Sequence, residues 1–473
     1  MTENVFFKGL FSYISAKYIV VLLNFIRSIL IANILGPSSF GEYALILLIL
    51  EYLNYSNLGI FHATNKEVAV NLGNKKKSSF IHKVFNTTIS FQVLNSLFVG
   101  LIFLTLYFFS SFKVVETGID KDYFFYIFLI SLLYQFKNYL ILYLRLYENF
   151  LDIAKIELIA SFTHLFFVYL FIAEFQIDAI LISTIVSNII ATSVYIKEFK
   201  NFRFFIEKKL ILYLLSIAFP LLLFNFLNLI ILSLDRLMIS NLLTKADLGI
   251  YHFGYLLSFG VMTAFNSFIF LIVPKMMKKY SQNPFDVDLM KSQLKLFEII
   301  LFFLLVISCI FGPYIIKTLA PDYVDSIQIM KFLLIAYSLN CIAFLPATHL
   351  ISNNLHSKLF PVFVSSVICA FFLNYFFIRS GFGISGVAVS TIVAYLIYTN
   401  GSFINYFKAI NLSAIINFIK ISWKYSVFII ATSLIIFLKI NNFWLIFLFI
   451  TIYARDIFQL TIEILNGEKA YFK

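Results

Sequence analysis

Apolar runs about as long as a bilayer is thick recur along this chain with few interruptions, and they decide its class before any motif does. Stretches such as ALILLIL at 44–50 and LFFLLVISCIF at 301–311 lie inside longer apolar runs. Each such run reaches roughly 20 residues, the length a helix needs to cross a hydrocarbon core of about 30 Å. Hydrophobic residues make up 61% of the chain and charged residues 13%, with a mean hydropathy of +0.92. A soluble domain carries about 25% charged residues. A membrane β-barrel would alternate apolar and polar residues over about ten positions instead. The chain therefore reads as an all-α integral membrane protein with about fourteen transmembrane helices.

An internal repeat organises those spans. RSILIANILGPSSFGEY, from Arg27 to Tyr43, returns as DRLMISNLLTKADLGIY, from Asp235 to Tyr251, with Asn33, Gly41 and Tyr43 matching Asn241, Gly249 and Tyr251. Ser183-Thr184-Ile185-Val186 likewise returns as Ser390-Thr391-Ile392-Val393. A repeat of this length is a statement about architecture. The basic segment EFKNFRFFIEKK at 198–209 falls where the second copy begins, giving six-span lobes at 1–200 and 201–409 and two additional spans with a short tail in 410–473. Six is even, so the lobes share one orientation and form a parallel repeat, an arrangement that places a shared cavity between lobes that rock to give alternating access. Pro220 and Pro346, inside spans 7 and 10, are candidate hinges or static kinks.

The net charge of +12 is distributed as a topology signal, and it implies no nucleic-acid partner. With the N-terminus inside, the inner segments and the adjoining helix ends hold about 24 Lys and Arg, including Lys75-Lys76-Lys77 and Lys208-Lys209, and the outer segments about 6. That bias sets both termini in the cytoplasm. The N-terminus has one Lys before an interrupted apolar run and no small-residue cleavage site, so the first run is read as a retained span. The connections are short, and no extramembrane domain is expected on either side. Cys309, Cys341 and Cys369 lie in apolar runs without metal-ligand spacing, and the histidines of the spans, His62, His164, His252 and His349, show no i, i+4 pairing. No metal site is expected. Neither a Walker loop nor a nucleophile elbow is present, so the sequence shows no sign of ATP hydrolysis by the chain itself; the short outer connections and the internal repeat argue against an enzyme.

Polar groups at bilayer depth are costly and face a cavity or a partner. In span 1, Tyr13, Lys17, Asn24, Arg27 and Ser28 fall within an arc of about 100°. In span 7, Asn225, Asn228, Asp235 and Arg236 do the same. Glu51, Asn54, Tyr55 and His62 are expected to share a face of span 2, as are His252, Tyr255, Thr263 and Asn266 of span 8. One hydrated cavity between the lobes accounts for all four stripes; helix-to-helix hydrogen bonding is the alternative for each Ser or Asn. Side chains lean toward the helix N-terminus, which turns Lys17 toward the cytoplasm, where it can snorkel, and Arg27 toward the midplane. Lys137, deep in span 4, is a further candidate. Glu298 and Lys331 are expected near the interfaces, in water. Lys17, Asn24, Arg27, Asn54, Tyr55, Lys137, Asn225, Asn228, Arg236 and Tyr255 are thus the candidate substrate-binding residues. Glu51 and Asp235 are the candidates for a coupling H+ or Na+, because desolvation pushes a carboxyl toward the protonated form.

Four stretches together carry a family resemblance: ILGPSSFGEYALILL after the span with Arg27, NLGIFHATNKEVA at 57–69, AFPLLLFNFLNLIILSLDRLMISNLL at 218–243 followed by LGIYHFGYLL, and FGISGVAVSTIVAYLI at 382–397. They resemble the polysaccharide repeat-unit flippases, the O-antigen and capsule exporters of the multidrug/oligosaccharidyl-lipid/polysaccharide (MOP) superfamily. The resemblance implies a MATE-like fold of two six-helix lobes around a central cavity, with two C-terminal helices. It implies transfer of an undecaprenyl-pyrophosphate-linked oligosaccharide from the cytoplasmic to the outer leaflet of the bacterial inner membrane, with a polysaccharide polymerase and a chain-length regulator as partners. The second copy of the signature departs from the pattern, with Leu243-Thr244-Lys245 in place of the Gly-Pro turn. A drug or cation antiporter of the same superfamily is the rival reading, and a membrane polysaccharide polymerase the more distant one.

Overall fold

A computed structural model describes residues 3–71, 78–111, 120–195, 203–282, 287–353, 355–410 and 413–465. The predicted Lys75–Lys77 cluster and residues 198–202 of the basic segment lie outside them. All regular structure among the described residues is helical. In chain order the α-helices are α1 (Glu3–Leu53), α2 (Ile60–Asn71), α3 (Ser78–Ser111), α4 (Tyr123–Leu146), α5 (Phe150–Ser193), α6 (Lys208–Leu242), α7 (Lys245–Gln282), α8 (Val287–Leu319), α9 (Ser326–Ser352), α10 (Phe360–Arg379), α11 (Gly383–Ala409), α12 (Ala414–Phe437) and α13 (Trp444–Leu465).

Among the described residues eleven helices are long and apolar enough to cross a membrane, and α6, bent beyond Pro220, makes a twelfth. Two of the twelve are too long for one crossing. At 51 and 44 residues, α1 and α5 would extend about 76 and 66 Å at 1.5 Å per residue, more than twice the hydrocarbon core. Each contains one non-helical residue, Gly36 (φ 68°, ψ 170°) in α1 and Gln176 (φ 46°, ψ −120°) in α5. Each therefore supplies two arms, which brings the membrane-length segments among the described residues to the fourteen expected. No atom lies within 4 Å of a Cβ built on Gly36, so glycine is required there by its positive φ and not by crowding. Pro37 then opens the second arm, where its fixed φ suits the first helical turn.

Span 2 is the place where the expected helix fails. It was expected to run unbroken through His62, but α1 ends at Leu53, a 3-10 turn occupies Asn54–Asn57, and Leu58 and Gly59 both adopt positive φ before α2 begins. Asn57 causes the break by closing an Asx-type turn: its Oδ1 accepts from the Gly59 N–H at 2.8 Å, and its Nδ2 donates to the Asn54 carbonyl at 2.9 Å. His62 consequently stands exposed on a separate helix and shares no helix face with Glu51.

The chain divides into two compact units, Met1–Leu229 and Ile230–Lys473. In the first, Ile60, Val84, Phe85 and Leu142 form a core with Leu214 and Ala218, which is why the first half of α6 belongs to that unit. In the second, α9 is the central helix, with Leu333, Ile335, Ala336 and Leu339 fully buried. The α12–α13 pair is fastened to α8 by Phe302, Phe428 and Tyr453. Ion pairs join Asp456 to both Lys424 and Lys295. Glu298, expected in water, is 3% exposed, on the α8 face that packs against Tyr453 of α13 through Phe302; the appended helices cover the α8 face that would otherwise be solvated.

Candidate functional site

The first arm of α1 carries its polar stripe onto α5, where it finds two partners seven residues apart. Lys17 Nζ donates to Glu157 Oε1 at 2.6 Å, so Lys17 is held in an ion pair and does not reach away to snorkel. Arg27 Nη1 lies 2.7 Å from His164 Nδ1. Both pairs ascend in the same order, so the first arms of α1 and α5 run in the same direction, as spans 1 and 5 of an alternating topology must.

The hydrogen bonds fix the state of His164. A guanidinium has donors only, so Nδ1 accepts from Arg27 and the ring proton resides on Nε2. Thr184 Oγ1, 3.1 Å from Nε2, is then the acceptor of that proton, while its own hydroxyl donates to the Ile180 carbonyl at 2.8 Å. A neutral imidazole thus orients the guanidinium without cancelling its charge.

Around these pairs lies a cavity of about 250 Å³, entirely within the first unit, lined by Lys17, Asn24, Arg27, Tyr43, Tyr134, Lys137, Glu157, Ser161, His164, Thr184, Ser187 and Asn188. Lys137 reaches it from α4, its Nζ 5.0 Å from the Tyr134 ring centroid. Three cations face one carboxylate, which leaves two positive charges in excess. Arg27 Nε is buried and has no acceptor among the described residues. The chemistry on offer is anion binding: fixed donors in a partly desolvated site, where each charge-assisted hydrogen bond is stronger than in water.

Four of the residues expected from the sequence, Lys17, Asn24, Arg27 and Lys137, therefore meet in one cavity. The others lie elsewhere. Asn54 and Tyr55 belong to the turn after α1, where the Asn54 carbonyl accepts from Gln135 at 3.3 Å and the Tyr55 ring packs 6.0 Å from Phe226. Glu51, Asn225 and Asn228 are half-buried on their helices. Arg236 and Tyr255 stack in the second unit, guanidinium over ring at 3.9 Å. Asp235 there accepts from the Tyr251 hydroxyl at 2.6 Å and from the Arg236 backbone N–H at 2.7 Å. Periodicity alone did not find Glu157, His164 or Thr184, though Thr184 stands in the repeated Ser-Thr-Ile-Val.

That repeat has a structural meaning. In the first unit Arg27, Tyr43 and Thr184 line one cavity. Their counterparts in the second unit also meet: Tyr251 donates to Asp235, and Thr391 lies beside the Tyr251 hydroxyl. The same three positions converge in both units, but an open cationic cavity in one becomes a closed cluster around a carboxylate in the other, with Asp235 and Arg236 at most 2% exposed.

The family described as polysaccharide biosynthesis protein matches residues 6–279. No curated protein matches the chain. Among solved structures, the lipid II flippase MurJ in an inward-closed conformation is 16% identical, with a TM-score of 0.61 over 95% of this chain and 98% of that one. An inward-facing multidrug resistance MATE family transporter of the MOP superfamily is 12% identical, with a TM-score of 0.68 over 85% and 99%. The Vibrio cholerae MATE transporter VcmN in its bent form is 15% identical, with a TM-score of 0.56 over 86% and 97%. At these identities the likeness concerns the fold, which is that of the MATE and MurJ transporters.

Proposed function

Because the chain belongs to the polysaccharide biosynthesis protein family, we propose that it flips an undecaprenyl-pyrophosphate-linked oligosaccharide, an O-antigen or capsule repeat unit, from the cytoplasmic to the outer leaflet of a bacterial inner membrane by alternating access. One observation carries the reading: the cavity of the first unit holds Lys17, Arg27 and Lys137 against a single carboxylate. A lipid pyrophosphate is multiply negative and loses water on entering a membrane protein, at a cost that cationic donors offset. Arg27 is the primary contact. Its guanidinium grips phosphate oxygens in a fork, His164 already orients one arm, and Nε still offers a donor. Lys17 and Lys137 supply flanking charge, and Asn24 and Tyr43 hydrogen-bonding or stacking surface for sugar.

In this reading the lobes are 1–200 and 201–409, residues 410–473 are the appendage, and both termini are cytoplasmic. Glu51 and Asp235 remain the candidates for a coupling ion, and a polymerase and a chain-length regulator are the expected partners. A cation antiporter is the rival within the same fold, and an excess of positive charge around the cavity argues against cationic cargo there. A polymerase is disfavoured by the short outer connections.

The test is Arg27→Ala. Losing a charge-assisted contact of about 1.5–3 kcal/mol should weaken head-group binding by roughly 10–100-fold. Cells carrying the variant should insert the protein normally and accumulate lipid-linked repeat units facing the cytoplasm. Normal surface polysaccharide in those cells would overturn the role, and efflux of cationic dyes by the wild type would favour the antiporter.

A further inference from the structure

A second concentration of positive charge lies in the other unit, far along the chain from the cavity described above. Lys317 at the end of α8, Lys331 one turn into α9 and Lys439 in the turn between α12 and α13 line a pocket of about 600 Å³, opposed by Asp325 alone among carboxylates. Its volume falls in the range of small-molecule sites. On the charge bias of the sequence this is the outer face, where Lys and Arg are scarce. Lys317 and Lys439 are two of the few that remain, and they face one pocket.

The pocket is built rather than incidental. Lys331 Nζ donates to Asn442 Oδ1 at 2.9 Å, and Asn442 Nδ2 donates to the Cys309 carbonyl at 3.0 Å, so the lysine and the α12–α13 turn are fixed to α8 and α9 together. Lys439 occupies the left-handed position of a Schellman turn (φ 54°), with Ile440 N–H bonded to the Ile435 carbonyl and Lys439 N–H to that of Ile436. Helix α4 ends in the same turn on Glu148 and α10 on Gly381, and only glycine takes that conformation without strain. A strained lysine aimed at a pocket motivates a functional hypothesis.

Depth identifies the ligand class. Tyr314, one turn before Lys317, and Trp444, at the start of α13, are both exposed, and exposed Tyr and Trp rings mark the head-group level of a membrane protein. The pocket wall also includes Ile435 and Ile440, which suits acyl or glycerol carbon beside a phosphate. We propose that this pocket binds the phosphate head group of an anionic phospholipid from the leaflet it faces. The assignment is independent of what the protein carries.

Native mass spectrometry of the full-length protein, purified in detergent with equimolar phosphatidylglycerol and phosphatidylcholine, reads it directly. One phosphatidylglycerol should be retained in preference to phosphatidylcholine, and each of Lys317→Gln, Lys331→Gln and Lys439→Gly should reduce its occupancy by about fivefold. Lys439→Gly separates folding from binding, since it relieves the turn. Its melting temperature in phosphatidylcholine should equal or exceed that of the wild type while lipid retention falls. Equal retention of both lipids, or unchanged retention in the three variants, would refute the site. Displacement of the lipid by millimolar inorganic phosphate would identify a pocket for a soluble anion and overturn the lipid assignment.

Discussion

Arg27 owes its position to a histidine that contributes no charge. The Nη1 donor needs an acceptor within the membrane, and His164 Nδ1 supplies one at 2.7 Å while Thr184 holds the opposite edge of the ring. Removing the acceptor leaves a donor of a half-buried guanidinium unsatisfied, at a cost of up to about 1–3 kcal/mol. His164→Leu should therefore lower the thermal unfolding midpoint, whereas His164→Gln, whose amide oxygen can still accept, should recover much of the loss. Equal midpoints for the two variants would remove the acceptor role. The cations were legible in the sequence because Lys17, Arg27 and Lys137 stand out in apolar runs. Their partners were not. Helical period tells which residues share a face of one helix, but not which of the other helices that face will meet. Glu157 and His164 become partners only once α1 lies on α5.

At the scale of elements, the repeat solves one problem in two ways. The first copy turns between its arms with Gly36 and Pro37, using a positive φ that only glycine adopts freely. In the second, Leu243-Thr244-Lys245 replaces that turn, and the structure explains how: the Asp247 N–H donates to Thr244 Oγ1 at 3.1 Å and the Thr244 N–H to Asp247 Oδ2 at 3.1 Å. This is a reciprocal capping box that starts α7. The sequence registered the departure without its reason, because the box depends on a residue three places on. Thr244→Ala should cost about 1 kcal/mol of stability through loss of the cap. Gly36→Ala should cost about 1–3 kcal/mol through strain at a positive φ with extended ψ, with no contact to neighbouring side chains adding to it, since the space around Gly36 is open. Denaturation in detergent measures both. A neutral Gly36→Ala would mean that the turn relaxes out of the positive φ region.

For the whole molecule, hydropathy and charge made the number of crossings legible, and geometry agrees where it bears on it. Two overlong helices break once each, at Gly36 and Gln176, and the Lys17–Glu157 and Arg27–His164 pairs run in parallel order. Hydropathy could not separate an interrupted span from a continuous one, since Asn57 breaks span 2 by side-chain hydrogen bonds. Which face is outside rests on the bias of Lys and Arg, and it is open to direct measurement. Cys309 and Cys341 are buried and Cys369 is half-buried, so background reaction with a membrane-impermeant thiol reagent should be low. Cysteine introduced at exposed Asn441, in the α12–α13 turn, should then be labelled in intact cells. Cysteine introduced at exposed Lys408, near the end of α11, should be labelled only after permeabilisation. The two positions bracket α12, a single crossing, so they must report opposite sides. The reverse pattern would invert the topology, place the three-lysine pocket against the cytoplasmic leaflet, and leave its lysines in keeping with the usual inner excess of positive charge.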